Sequence, residues 1–279
     1  MRTLVHLSDL HFGRIDEALI GPLTAQISRL KPDTLVVSGD LTQRARTVQF
    51  QDARRFLDTL AMPQIIVPGN HDIPLHNVFS RFLQPLDKYR RYITQELAPF
   101  YGDDEIAIAG INTARSLTLK NGRVNEEQLA QVRQRLQGLP DTVVKIVVTH
   151  HPFDLPLHRG RGDLVGRASA AMSVFAGCRI DMLLAGHLHA SHADNTSERY
   201  QLGAYSAIAV QAGTATSTRG RGEANSFNII RIDTDHIAVD RMSWASVSAT
   251  FKRVASESFQ RTADGWRKSE APGSAGVEG

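Results

Sequence analysis

The stretch Leu4-Val5-His6-Leu7-Ser8-Asp9-Leu10-His11 sets an apolar run directly before a carboxylate and an imidazole. Leu4 to Leu7 fits a buried strand. Beyond it, Ile15, Leu19, Leu23, Ile27 and Leu30 recur at helical spacing. Gly21-Pro22 interrupts that pattern, which predicts a helix restarting with Pro22 in its first turn. Thr34-Leu35-Val36-Val37 reads as a second strand. Ala53, Phe56, Leu57 and Leu60 mark a second helix. Gln64-Ile65-Ile66-Val67 reads as a third strand, stopped by Pro68-Gly69. This alternation predicts a parallel sheet with right-handed crossovers.

The remainder extends the pattern. Residues 75 to 98 carry helical character, and 105 to 111 read as a strand. Asn125, with Gln128 three residues on, caps a helix that aligns Leu129, Val132 and Leu136. Val143 to Val148 is a strand that delivers His150. Residues 153 to 167, rich in Gly, Arg and Pro, read as a long loop. Asp181 to Ala185 is a strand that delivers Gly186-His187. The runs 226 to 233 and 236 to 243 alternate like a hairpin. From about Ala263 the chain is Gly, Ser, Glu and Pro without periodicity. One domain over 1–262 and a disordered tail over 263–279 are expected.

Composition narrows the function classes. The chain has 279 residues and is 42% hydrophobic, enough for a substantial core. Lys and Arg number 32 against 29 Asp and Glu, so the net charge is only +3. No basic run with interleaved aromatics occurs, so a nucleic-acid partner is disfavoured. One cysteine, Cys178, cannot form an internal disulfide and reads as a small buried hydrophobe. The first residues lack the apolar segment of a signal peptide, and no stretch approaches membrane length. A cytoplasmic protein without membrane partners is the expectation.

Asp9, Asp40, Asn70, His150 and His187 each follow an apolar run. Ligands of open parallel sheets sit outside the carboxyl ends of the strands, so these side chains are expected at one rim. Asp9 and His11 are two apart, which in extended chain puts both on one side. One metal could take both. The two oxygens of Asp40 could bridge two cations. Asn70 offers an amide oxygen, and His150, His187 and His189 offer imidazole nitrogens. Oxygen and nitrogen ligation without thiolate suits Fe, Mn, Zn or Co. Two divalent ions carry four positive charges, of which Asp9 and Asp40 cancel two. The surplus favours a hydroxide and an anionic ester, as phosphoryl transfer requires.

The ordered set Asp9-x-His11, Gly39-Asp40, Gly69-Asn70-His71-Asp72, His150-His151-Pro152 and Gly186-His187-x-His189 resembles the calcineurin-like metallophosphoesterase superfamily over roughly residues 3 to 190. The resemblance implies a four-layer α/β/β/α sandwich, two mixed β-sheets flanked by helices. It implies Asp9, His11 and His189 on one metal, Asn70, His150 and His187 on the other, and Asp40 between them. Asn70 and His71 would face the substrate. His71 would donate to the phosphate or leaving-group oxygen, and Asp72 would orient His71. Within the superfamily the segments are most similar to bacterial class III cyclic-nucleotide phosphodiesterases. Asp72 stands where the DNA-repair nucleases and protein phosphatases usually carry Glu. The implied activity is phosphodiester hydrolysis by a metal-bridging hydroxide, with a 3′,5′-cyclic nucleotide such as cAMP as first-guess substrate. A glycerophosphodiesterase or broad phosphoesterase is the alternative, ahead of a nuclease. A non-catalytic scaffold of this fold is set aside because every ligand position is filled. Family analogy also raises a homo-oligomer.

Other polar residues carry two readings. His151 is read as orienting its neighbours rather than ligating. His192 is a loop histidine or a substrate contact, and Asn112 a turn former or a substrate contact. Arg159, Arg161 and Arg167 either solvate the long loop or form a rim that meets a phosphate. Arg219 and Arg221 read as a surface turn ahead of a second rim, and Trp244 as packing or an oligomer contact.

Overall fold

The structure is a computed structural model that describes residues 1–75, 78–116, 121–156, 160–219 and 222–269. The first half begins with β1 (Arg2–Leu7), α1 (Glu17–Leu30), β2 (Thr34–Ser38), α2 (Thr47–Asp58) and β3 (Gln64–Val67). Asp16 starts α1 by accepting from the Ala18 N–H at 3.0 Å, and a left-handed Lys31 ends it. Pro22 lies inside α1 rather than at a restart. The carbonyl it deprives of a partner is that of Ala18, an exposed residue that water can satisfy. Leu19, Leu23 and Ile27 form the buried stripe.

Two short helices follow, α3 (Val78–Leu83) and α4 (Asp87–Tyr92), then β4 (Phe100–Gly102), β5 (Ile106–Gly110) and α5 (Glu126–Leu136). The expected cap of α5 is present, with Gln128 N–H donating to Asn125 at 2.9 Å and Asn125 N–H donating back to Gln128 at 3.1 Å. The chain continues through β6 (Val144–Val148), α6 (Ala168–Cys178), β7 (Met182–Ala185), β8 (His192–Asn195) and β9 (Ile208–Gln211). It ends with β10 (Ser226–Ile232), β11 (His236–Ala245), β12 (Thr250–Thr262) and β13 (Gly265–Ser269).

The strands form two mixed sheets, ordered β13-β12-β11-β10-β1-β2-β3 and β4-β5-β6-β7-β9-β8. β1, β2 and β3 are parallel, as are β5, β6, β7 and β9. The period-2 alternation of each strand then assigns the layers. Leu4, Val36, Ile65, Ile108, Ile146 and Leu184 pack between the sheets. Val5, Leu35 and Val37 face outward onto α1, α2 and α4, and Ala107, Val147 and Leu183 onto α5 and α6. The result is the four-layer α/β/β/α sandwich. Each fully buried Leu, Val or Ile contributes about 1.5–3 kcal/mol. Cys178 is buried, and burial pushes its thiol up, in keeping with a packing role.

The expected tail boundary needs correction. Gly265–Ser269 pairs with β12, and Trp266 is only 2% exposed. Its indole Nε1 donates to Asp181 Oδ1 on the second sheet at 2.9 Å, and the Arg261 guanidinium lies 4.9 Å from its ring centroid. A large aromatic in the 263–269 segment outweighs the small residues around it. Residues 270–279 lie outside the described residues.

Candidate metal centre

The site residues are delivered where β1, β2, β3, β6 and β7 end, so both sheets feed one rim. Beyond β1 and β2 the two loops run side by side: Asp9 N–H donates to Gly39 O at 3.1 Å, His11 N–H to Asp40 O at 2.9 Å and Phe12 N–H to Leu41 O at 2.8 Å. Asp9 and His11 do not converge through extended backbone, as their spacing suggested. Both have φ 51°, in the left-handed region, as do Asp40 (53°), His187 (73°) and His189 (56°). Each non-glycine residue held there costs on the order of 1–3 kcal/mol. Two glycines make the approach possible. A Cβ on Gly69 would sit 2.1 Å from Asp40 Oδ1, and one on Gly39 would sit 2.7 Å from the His150 ring.

Asp9 is oriented from behind. Its Oδ2 accepts from the Ser8 hydroxyl at 2.6 Å and the His187 N–H at 3.0 Å. That turns Oδ1 toward His189 Nε2 at 3.2 Å and His11 Nε2 at 3.6 Å, while the two imidazole nitrogens stand 3.2 Å apart. The Asp40 carboxylate spans two groups: Oδ2 is 3.7 Å from His11 Nε2, and Oδ1 is 3.4 Å from His150 Nε2. His150 Nε2 is also 3.2 Å from Asn70 Oδ1. Asp9, His11 and His189 form one group with ligand atoms within 4.8 Å, and His150, His151 and His187 form another. His151 Nδ1 pairs with the Thr113 hydroxyl at 2.8 Å.

This donor set fits metal ions. His150 Nδ1 donates to Ser38 O at 2.8 Å and His189 Nδ1 to Arg219 O at 3.3 Å. A carbonyl can only accept, so each ring carries its proton on Nδ1 and aims the Nε2 lone pair inward. Lone pairs on Nε2 thus face carboxylate and amide oxygens, an arrangement that asks for cations between them. Ligand atoms about 2.1 Å from one ion stand about 3.0–3.4 Å from each other, close to the separations observed.

The electrostatics agree. Burial would raise the Asp9 carboxyl, but His11 and His189 beside it hold it well below the usual carboxylate range. Burial likewise opposes ionisation of Asp40, and the charge of His150 overcomes it. Burial opposes a charge on His150, yet Asp40 raises that imidazole to about 9, so with no metal ion bound a proton takes the place on Nε2 that a cation would fill. The site draws positive charge inward.

His71 and Asp72 depart from the expected pairing. Asp72 accepts from the Thr42 N–H at 2.9 Å, the Thr42 hydroxyl at 3.0 Å, the Gly69 N–H at 2.9 Å and the Leu41 N–H at 3.2 Å. It therefore ties the β2 and β3 loops together rather than orienting the His71 ring. Burial and then the nearby Asp40 raise its carboxyl to about 6. His71 Nδ1 instead lies 2.9 Å from Gln43 O, and its Nε2 lies 3.1 Å from Arg219 Nη1. Sequence reading favoured a surface turn for Arg219 over a second rim of the site, because nothing local marks a contact that spans 148 positions.

Asp9, His11, Asp40, His150, His187 and His189 are buried, whereas Asn70 and His71 are half-exposed and mark the open side. Asn112 is a turn former, accepting from the Ala114 N–H at 3.0 Å. His192 lies in β8, and Trp244 packs edge-on against Phe251 at 5.2 Å. Arg159, Arg221 and the side chain of Arg161 lie outside the described residues. No helix among those described is long and apolar enough to cross a membrane.

Comparison with known proteins points to one family. The calcineurin-like phosphoesterase family model matches residues 2–191. The glycerophosphodiester phosphodiesterase GpdQ of Enterobacter lignolyticus is 28% identical over 164 residues, covering 54% of this chain and 58% of that protein. The 3′,5′-cyclic adenosine monophosphate phosphodiesterase CpdA of Escherichia coli is 23% identical over 206 residues, covering 67% and 69%. The chain thus spans 57% to 58% of the curated relatives it first matches. The solved structure of PhoD superimposes with a TM-score of 0.70 at 12% identity, over 99% of this chain and 73% of that one, a likeness of fold.

Proposed function

This chain belongs to the calcineurin-like phosphoesterase family, and from that premise we propose that it is a binuclear-metal-dependent phosphodiesterase whose first substrate to test is a 3′,5′-cyclic nucleotide. One observation carries the reading: Asp40 places one oxygen toward His11 and the other toward His150, between two groups of inward lone pairs. Asp9, His11 and His189 would hold one divalent ion, and Asn70, His150 and His187 the other, with Asp40 shared. When bound, such a pair supplies charge for an anionic ester and lowers the pKa of a water between the ions.

The chain's own groups do the rest. Ser8 and the His187 amide fix Asp9. The Ser38 and Arg219 carbonyls fix the tautomers of His150 and His189. Among the described donors only Asn70 and His71 are half-exposed, so substrate would reach the centre past them. Relatives bearing cyclic-nucleotide and glycerophosphodiester names support both substrate classes. The test is a panel of cyclic AMP, a glycerophosphodiester, a phosphomonoester and single-stranded DNA, run with Mn, Fe and Zn in turn. Turnover of cyclic AMP above the rest is expected. A preference for the glycerophosphodiester would move the substrate to the second class, and inactivity on every phosphoester would end the reading.

A further inference from the structure

We propose that Arg219 anchors the phosphate at this centre, its guanidinium gripping a non-bridging oxygen of the substrate beside His71. The inference rests on the phosphodiesterase reading above and adds a residue from outside the family-matched segment 2–191. His71 Nδ1 faces the Gln43 carbonyl at 2.9 Å, so the ring proton sits there and Nε2 presents a lone pair. Arg219 Nη1, 3.1 Å away, donates to it. That bond holds a permanent cation beside the half-exposed His71, at the margin of the centre. A guanidinium carries five donors in a planar fork that matches two oxygens of a phosphate.

The backbone beneath Arg219 is held in place. The Thr214 hydroxyl donates to Asp9 O at 2.8 Å, the Thr216 hydroxyl to Leu10 O at 2.7 Å and the Thr218 N–H to Arg14 O at 3.1 Å. Asn225 Nδ2 donates to Ser217 O at 2.9 Å, and Arg219 N–H donates to the Ser217 hydroxyl at 3.1 Å. Residues 214–219 therefore form a strap sewn onto the Asp9–His11 loop. A cation fixed this way loses little freedom on meeting an anion. It also stabilises the charge spread over equatorial oxygens during phosphoryl transfer.

The full chain carrying Arg219→Ala or Arg219→Lys tests this. Metal content, melting temperature, KM and kcat on bis(p-nitrophenyl) phosphate, and the calorimetric affinity for inorganic phosphate with and without Mn are measured. Arg219→Ala is expected to keep its metals and melting temperature, to raise KM roughly 10- to 100-fold with a smaller change in kcat, and to weaken phosphate binding by a similar factor. Arg219→Lys is expected to recover part of both losses. Unchanged KM and phosphate affinity in Arg219→Ala would overturn the proposal. So would a loss that only follows metal loss, which would make the residue a support for His189. If the wild-type chain hydrolyses no diester, the phosphodiesterase reading fails, while the phosphate affinities still decide the role of Arg219.

Discussion

Within β1, β2 and β7 the side chains between the sheets are Leu4, Val36, Met182 and Leu184, all fully buried. A few residues farther along the same segments stand Asp9, Asp40 and His187, polar, buried and in left-handed backbone. The strand bodies follow the local rules of alternation, apolar contact and ladder hydrogen bonds, with His6 in β1 as a buried polar exception. The strand ends break several, because they hold like-natured donors together in a site of low dielectric. The bodies stabilise the fold, and that surplus sustains the strain at the ends. Replacements at the ends should therefore abolish chemistry while the fold persists, and replacements in the bodies should do the reverse.

The sharpest break is Asp40→Ala. It is expected to empty the centre of metal and to lower turnover at least about 10⁴-fold, while cooperative melting remains. Elemental analysis and a chromogenic diester check this, and near-normal turnover would contradict the shared-carboxylate assignment. Next, His71→Ala should retain metal and lose about 10²- to 10³-fold in turnover, the range for losing a polar group positioned at the reacting phosphate. Loss of metal would instead make His71 a ligand, grouped with His11 and Asp40.

On the body side, Trp266→Ala removes an indole packed between the sheets and its bond to Asp181. Destabilisation of about 3–5 kcal/mol is expected in urea unfolding, with kcat of the folded fraction unchanged. A loss below about 1 kcal/mol would show that the terminal hairpin does not close the core. The smallest effect concerns His6, buried in β1 with Nε2 2.9 Å from the Ser38 hydroxyl. Burial lowers its pKa from 6.5 to about 3. The unfolded chain therefore binds the extra proton between those values. The stability is complete above pH 6.5 and fades as pH falls toward 3, by at most a few kcal/mol. In His6→Gln the urea midpoint should fall less over that interval, and an identical acid slope would exclude His6 as its source.

The same contrast explains what could be read in advance. The strand bodies were legible because alternation is local, and the α5 cap because its two partners are three residues apart. The ends were legible as an ordered set of ligand types, but not in their conformation. Asp9 and His11 meet through two left-handed turns, which no spacing rule encodes. Asp72 was expected to hold His71, yet four donors from residues 41, 42 and 69 occupy it. The hairpin at Asp264-Gly265 carried a turn signal, with Gly265 at φ 95°, that the surrounding small residues obscured.

Local periodicity and the order of carboxylate, amide and imidazole groups dictated the strands, the helices and the chemistry open to this chain. The periodicity depends only on neighbours in the sequence, and the order of those groups is a property of the linear chain. Which lone pairs face one another, which carbonyl fixes each imidazole, and the arrival of Arg219 beside His71 were settled only when the two sheets packed. Each of those contacts joins residues tens to hundreds of positions apart, and their distances exist only once the core between the sheets has formed.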